Sequence, residues 1–347
     1  MHLKTVSPCA ALLAGLVLAS ASPVAAQQTA VDTAQSVNTN QQLQKPLKPS
    51  DQKGQDVPLL YEGELEDLGP QYVLQPHERP KYLQVMGDLQ VYHTDNAALV
   101  PANKIGTDVS VFTVEAAYQS QAKVMFGDVQ TQFRAGFRFQ SYWYGIISGR
   151  DKSTSASTYN PVNLLDFQIY SPFVEVSFKK NNWYGGLALR YAAYTNSNQF
   201  SDETFYQEWV PSGSFGYQWV LDQHRIVQVQ YDGDFRSTNT DEKGTHPTGW
   251  EDRADNSISL IHSYILGEHW IFQPSYRLMW SKYTNPERYR SDIYNTLSFM
   301  VAYYFNENLS ARAFTSIEWR NSSMEGGVDN SYQNWNIGVG VSLTGSF

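Results

Sequence analysis

Six arginines stand at positions where alternation along the chain puts them with other polar residues: Arg134, Arg138, Arg190, Arg236, Arg277 and Arg312. Carboxylates share that parity, namely Asp88, Glu115, Asp166, Glu175, Asp232, Asp234 and Glu318, and no lysine belongs to the set. A guanidinium keeps its charge at any accessible pH and presents a rigid fork of donors, so it either holds an anion or pairs bidentately with a carboxylate. Two chemistries follow. A ring of such groups around a water-filled passage selects ions and small polar solutes, whereas the same groups paired across neighbouring strands fill a narrow barrel as a polar core. The near balance of the two signs leaves both readings open.

The elements that position these groups are extended segments with a side-chain period of two. Twelve are readable, at 82–94, 109–119, 131–145, 163–178, 183–195, 210–221, 225–237, 254–266, 269–283, 291–305, 308–320 and 332–347. Each has the length of a tilted membrane-crossing strand, about 9–11 residues with some overhang. In 225–237, Val227, Val229, Tyr231 and Phe235 take one face while Gln228, Gln230, Asp232, Asp234 and Arg236 take the other. Phe133, Ala135, Phe137 and Phe139 likewise oppose Arg134, Arg138 and Gln140. Trp270, Phe272, Tyr276, Leu278 and Trp280 oppose Gln273, Ser275 and Arg277, and Leu309, Ala311, Ala313, Ile317 and Trp319 oppose Arg312, Ser316 and Glu318. The segment at 163–178 keeps its parity only with a slip near Pro172 and Phe173, a predicted β-bulge that sends Val174, Val176 and Phe178 to the outer face. A soluble β-sandwich would also alternate, but its outward face would be the polar one.

The connections alternate in length. KKNN at 179–182, LDQH at 221–224, GE at 267–268 and NEN at 306–308 are tight, whereas 146–162, 196–209, 238–253, 284–290 and 321–331 are longer and rich in Ser, Thr, Asn, Asp and Gly. Short turns on one side and long loops on the other are the asymmetry of a barrel that crosses an outer membrane. The link at 120–130 is longer than that rule prefers, so ten or fourteen strands also fit.

Composition agrees. The mean hydropathy is -0.44, and no apolar run reaches the roughly 18 residues of a transmembrane helix. In a barrel only alternate residues touch lipid, so hydropathy stays low while aromatic content rises, here to 14% with 23 Tyr and 9 Trp. Tyr142-Trp143-Tyr144 and Trp183-Tyr184 are expected as interfacial girdle residues. At the start, Lys4, the apolar stretch Ala10 to Ala21 and the small residues Val24-Ala25-Ala26 have the layout of a signal peptide, residues 1–26. Residues 27–80 are rich in Gln, Asn, Asp, Lys and Pro without strand or helix period, and read as a flexible periplasmic extension before a barrel at 81–347. Within it VPLLYEGELEDLGPQYVLQPHERP is richer in apolar residues and suits docking to a periplasmic partner. The sole cysteine, Cys9, precedes the apolar core of the signal, which leaves a disulfide-free exported chain. Removing 1–26 takes away only Lys4 among charged residues, so the net charge goes from -9 to about -10, and an acidic chain does not suit nucleic acid.

The closing stretch runs Trp335, Ile337, Val339, Val341, Leu343 to Phe347 on alternate positions. With the signal peptide and the strands, it resembles a bacterial outer-membrane β-barrel over residues 82–347. The resemblance implies an all-β, antiparallel up-and-down transmembrane barrel of the porin-like superfamily in the cell outer membrane. It also implies that Val339, Val341, Leu343 and Phe347 form the signal read by the barrel assembly machinery, although Gly345 stands where that signal usually carries a large apolar residue. The expected activity is passive diffusion of small hydrophilic solutes, anions among them. The pore-lining set is Arg134, Arg138, Arg190, Asp232, Asp234, Arg236, Arg277, Arg312 and Glu318. The other expected contacts are outer-membrane lipid and the assembly machinery. An alternative is a non-conducting barrel that anchors partners through residues 27–80 and the long loops. A lipid hydrolase ranks below both, because His93, His224, His246, His262 and His269 stand beside no inward serine in a recognisable motif. No cofactor is expected. No metal is expected either: there is no HxxxH or cysteine pair, and the acidic stretch 241–255 reads as a solvated loop.

Overall fold

Alternation of this kind has one self-consistent outcome in a bilayer: every backbone donor and acceptor must be paired within the sheet, so the sheet closes on itself. The computed structural model describes residues 81–347 apart from 98, 100, 103, 126, 149–164, 197–203, 240–248, 287–288 and 324–328. Twelve long strands form the wall: β1 (Leu83–Thr94), β2 (Thr107–Gln119), β4 (Val129–Tyr144), β5 (Phe167–Lys180), β6 (Trp183–Asn196), β7 (Thr204–Val220), β8 (Arg225–Thr238), β9 (Arg253–Leu266), β10 (Trp270–Tyr283), β11 (Ser291–Tyr304), β12 (Leu309–Ser322) and β13 (Tyr332–Ser346). A three-residue strand, β3 (Lys123–Met125), pairs with Val129–Thr131 of β4 through a turn containing Gly127 at φ 74°. This hairpin is why the 120–130 link exceeds an ordinary turn. Consecutive long strands pair antiparallel throughout, β2 with β4 past the short β3, and β1 pairs with β13, so the tube is closed.

The outward positions form an apolar belt. Leu89, Phe137, Val174, Leu187, Leu260, Leu297 and Val339 are among the exposed large residues, a surface that water would reject and acyl chains accept. Pro172, Pro211 and Pro274 also face outward, and each interrupts one ladder where its missing N–H would otherwise donate. Aromatic stacks mark the two rims. Trp183 stacks on Phe215 with centroids 4.9 Å apart at the end of the short turns, and Tyr191 meets Trp209 at 4.9 Å nearer the long-loop end.

Three expectations are corrected. β5 has no slip: its pairing with β4 runs unbroken from Gln130↔Lys179 to Tyr142↔Phe167, so Phe167, Ile169 and Phe173 point inward with Ser171 and Glu175. The expectation failed because the lumen near the long loops is itself apolar, so a greasy residue there does not signal lipid. Tyr142 and Tyr144 are inward for the same reason, Tyr184 is inward at the short-turn end where its hydroxyl donates to Gln230 Oε1 at 3.2 Å, and only Trp143 and Trp183 of those clusters face lipid. Finally, β7 begins at Thr204 rather than 210, which brings Glu208 into the wall.

The seam is built on small residues. Gly338, Gly340 and Ser342 of β13 face inward, and the side chains of β1 and β12 meet above them. Tyr92 and Phe314 approach to 6.1 Å over Gly338, where a Cβ would sit only 2.3 Å from that of Tyr92. Phe347 completes closure: its carbonyl accepts from Tyr82 and Leu83 N–H groups at 2.7 and 3.0 Å.

Candidate functional site

The lumen divides into two layers. Toward the long loops it is packed. Tyr92, Val109, Val111, Tyr142, Tyr144, Phe167, Ile169, Tyr194 and Tyr206 form one buried cluster along β1, β2 and β4–β7, and Met279, Tyr294 and Tyr332 form a second on β10–β13. The first loop, 95–106, joins them. Its Ala97 belongs to the first cluster and its Leu99 to the second, so the loop folds into the mouth rather than away from it. It is held there by Asn96 Nδ2 donating to Gln333 O at 3.1 Å, by Trp335 N–H donating to Asp95 Oδ1 at 2.6 Å, and by Ala97 N–H donating to Ile105 O at 2.8 Å. Leu99 accepts a left-handed φ of 52° to make its contact.

Ion pairs brace this layer. Asp292 accepts both arms of Arg290 at 2.9 and 2.7 Å and a hydroxyl from Ser322 at 2.5 Å, while the Arg320 guanidinium lies 4.3 Å from the Tyr332 ring centre. Asp255 accepts from Arg253 at 2.8 Å and lies 3.0 Å from Arg236. Glu208, fully buried, accepts from Tyr194 and Tyr206 at 3.1 Å each and faces Arg190 at 3.4 Å. These groups sit in low dielectric and persist because each charge has an opposite one and its lone pairs are filled.

Below lies a polar cavity of about 760 Å³ that reaches the short-turn end, lined there by Gln130, Lys179, Asn182, Gln218 and Gln228. Hydroxyl and amide side chains recur along its wall, with Ser171, Ser212, Ser214, Ser275 and Ser298 among them. Of the anticipated lining residues, Arg134, Arg138, Arg190, Asp232, Asp234, Arg236, Arg277 and Glu318 border this cavity. Arg312 does not. Its guanidinium is fully buried in a bidentate bond to Asp88, at 2.7 and 2.9 Å, crossing β13 above Gly340. On β2, next to the strand that carries Asp88, the buried Glu115 accepts from Arg138 Nε at 2.7 Å and closely from Arg134, and both guanidiniums lie over Phe173 at 5.8 and 5.0 Å. Arg134 also reaches Glu175 at 3.5 Å. Six cations and five carboxylates border the space, so its lining is close to neutral.

The remaining anticipated residues are placed as follows. Val339, Val341 and Leu343 face outward and Phe347 is exposed at the rim. His262 is on the outer face of β9, His224 Nδ1 lies 3.1 Å from Ile265 O, and His269 Nδ1 lies 2.7 Å from Tyr304 O. His93 lines a groove on the outer face with Val91 and Val301, and His246, the signal peptide and residues 27–80 lie outside the described residues. Glu208, Arg253, Asp255, Arg290 and Asp292 were not anticipated. The signal was present as Arg-x-Asp at 253–255 and 290–292, two residues apart and therefore on one face of an extended strand.

A closed antiparallel tube with an apolar exterior, paired aromatic rims and a polar interior is an outer-membrane β-barrel, and its place is the outer membrane. The sequence matches no family model and no curated protein. Among solved structures the chain is similar to an outer membrane channel from Pseudomonas putida F1, at 10% identity and TM-score 0.46, covering 77% of this chain and 97% of that one. It is also similar to the β domain of the Bordetella autotransporter BrkA, at 11% identity and TM-score 0.41, covering 77% and 100%. A third is the KdgM porin, at 9% identity and TM-score 0.35, covering 74% and 98%. The class rests on the barrel's own closure and faces rather than on likeness at this level.

Proposed function

We propose that this barrel is a porin-like channel for passive diffusion of small hydrophilic solutes. The observation that carries the reading is the polar cavity of about 760 Å³ open at the short-turn end, large enough for a small solute with its water. Charges of both signs line it, so a solute of either sign meets a counter-charge, and the inward loop 95–106 acts as the constriction. Planar-bilayer conductance of the refolded protein tests this. Discrete steps are expected, with altered ion selectivity in the triple variant Arg134→Gln, Arg138→Gln, Glu115→Gln, where the third change avoids stranding a buried carboxylate. Silence of both the full chain and a chain with loop 95–106 shortened would overturn the channel.

A second reading, a non-conducting barrel that anchors partner proteins, draws on the packed outer layer and the loop seated in it. Electrical silence together with capture of a periplasmic protein by residues 27–80 is its signature.

A further inference from the structure

We propose that the cavity wall carries a recognition site for small zwitterions, α-amino acids in chemical class, built from Asp232 and Arg277; the inference rests on the channel reading for its route of access. Most charges in the lumen are bonded to an opposite charge, but these two are not. Asp232 accepts one hydrogen bond, from Gln230 Nε2 at 2.5 Å. Among the described residues Arg277 donates only to the sulfur of Met279, at 3.4 Å, a weak acceptor. Among the described residues neither has an oppositely charged group within salt-bridge distance, and both border the same cavity, half-buried.

The strand between them explains why they stay apart and what the gap can hold. In register Asp232 on β8 lies opposite Ser257, and Arg277 on β10 lies opposite Ser259 of β9 and Thr296 of β11. Two strand spacings, about 9.6 Å, therefore separate the anchor strands, over a floor of short hydroxyl side chains. Ser257 is 1% exposed, borders the cavity, and its Oγ has no hydrogen-bond partner; the buried Oε1 of Gln273, on the same wall, has none either. A ligand with a carboxylate for the Arg277 fork and an ammonium for Asp232 compensates both charges at once and offers donors to the stranded oxygens. A simple anion would face Asp232 with like charge, and a simple cation would face Arg277 in the same way.

The test uses the refolded full barrel in detergent and calorimetric titration with three probes, L-alanine, propionate and ethylamine, at neutral pH. Alanine is expected to bind at least roughly tenfold more tightly than either single-charge probe. Asp232→Asn and Arg277→Gln should each remove that preference, while the exchanged pair Asp232→Arg with Arg277→Asp should restore most of it, which no structural role of either residue would do. Equal affinities of the wild-type protein for the three probes overturn the site even where a variant fails to fold. Alanine preference in a barrel that is electrically silent both with and without an intact loop 95–106 keeps the site and removes the channel. Conductance without alanine preference does the reverse.

Discussion

Leu99 offers the sharpest handle on the packed mouth. Its side chain is only 6% exposed and lies with Met279, Tyr294 and Tyr332, on β10, β11 and β13, all outside the two strands, β1 and β2, that carry its loop. Truncating a buried leucine to alanine costs about 2–5 kcal/mol in a protein core. A loop that can relax belongs at the low end, so Leu99→Ala should weaken docking of residues 95–106 by about 2 kcal/mol, a roughly 30-fold fall in the ratio of docked to undocked states. Glycine separates packing from backbone strain. At φ 52° an L-residue pays roughly 1 kcal/mol or more that glycine does not, which offsets the loss of the last methyl, so Leu99→Gly should fall close to Leu99→Ala rather than well below it. Single-channel recording in planar bilayers is the assay: both variants should show larger or more frequent steps and greater open-state noise, with the lipid-facing Leu260→Ala as the unchanged control. Traces from Leu99→Ala identical to wild type would refute the claim that this contact holds the loop in the lumen.

Three further outcomes are expected. Asp88→Asn or Arg312→Met alone strands a buried charge and should lower stability by about 3–5 kcal/mol in denaturant titrations of the refolded barrel, while the double variant should lose less than the sum of the two. Gly338→Val, which places a side chain where Tyr92 Cβ already lies 2.3 Å from an added Cβ, should abolish the compact, heat-modifiable form on gels, whereas Gly87→Ala, with open space around it, should not. Leu260→Arg on the lipid face of β9 should cost about 2–4 kcal/mol, the depth-dependent cost of a cation near the bilayer midplane, and a cost near zero would argue against that face touching acyl chains.

Closure, strand number and the two faces were legible because a period of two is imposed by the backbone itself, and lipid outside leaves polar residues only one place to go. Arg134, Arg138, Asp232 and Arg236 could be assigned to the interior on that basis alone. The inverse inference failed. Phe167, Ile169, Tyr142 and Tyr144 are apolar or aromatic yet inward, since the outer lumen is packed like a protein core and alternation there loses its contrast. Partnership was equally hidden: Arg312 and Asp88 are 224 positions apart, and nothing local in either stretch tells that one of six similar arginines is sealed in the wall. The apolar content of loop 95–106, Leu99 and Ile105 among it, sets it apart from the polar long loops, but a stretch without strand period does not tell which way it turns, and only its contacts show that it turns inward.

The tie between Asp88 and Arg312 also bears on how the cylinder finds its register. If the terminal hairpin slid by two positions during closure, every lipid-facing side chain would still meet lipid, so greasiness cannot reject that mistake. The guanidinium would, because it would overshoot its carboxylate and leave two ions dry and uncompensated, and the Tyr92 ring would leave the notch at Gly338. Proofreading of the final join is thus written on the inner surface, in one ion pair and one missing methyl group, rather than on the side that faces the membrane.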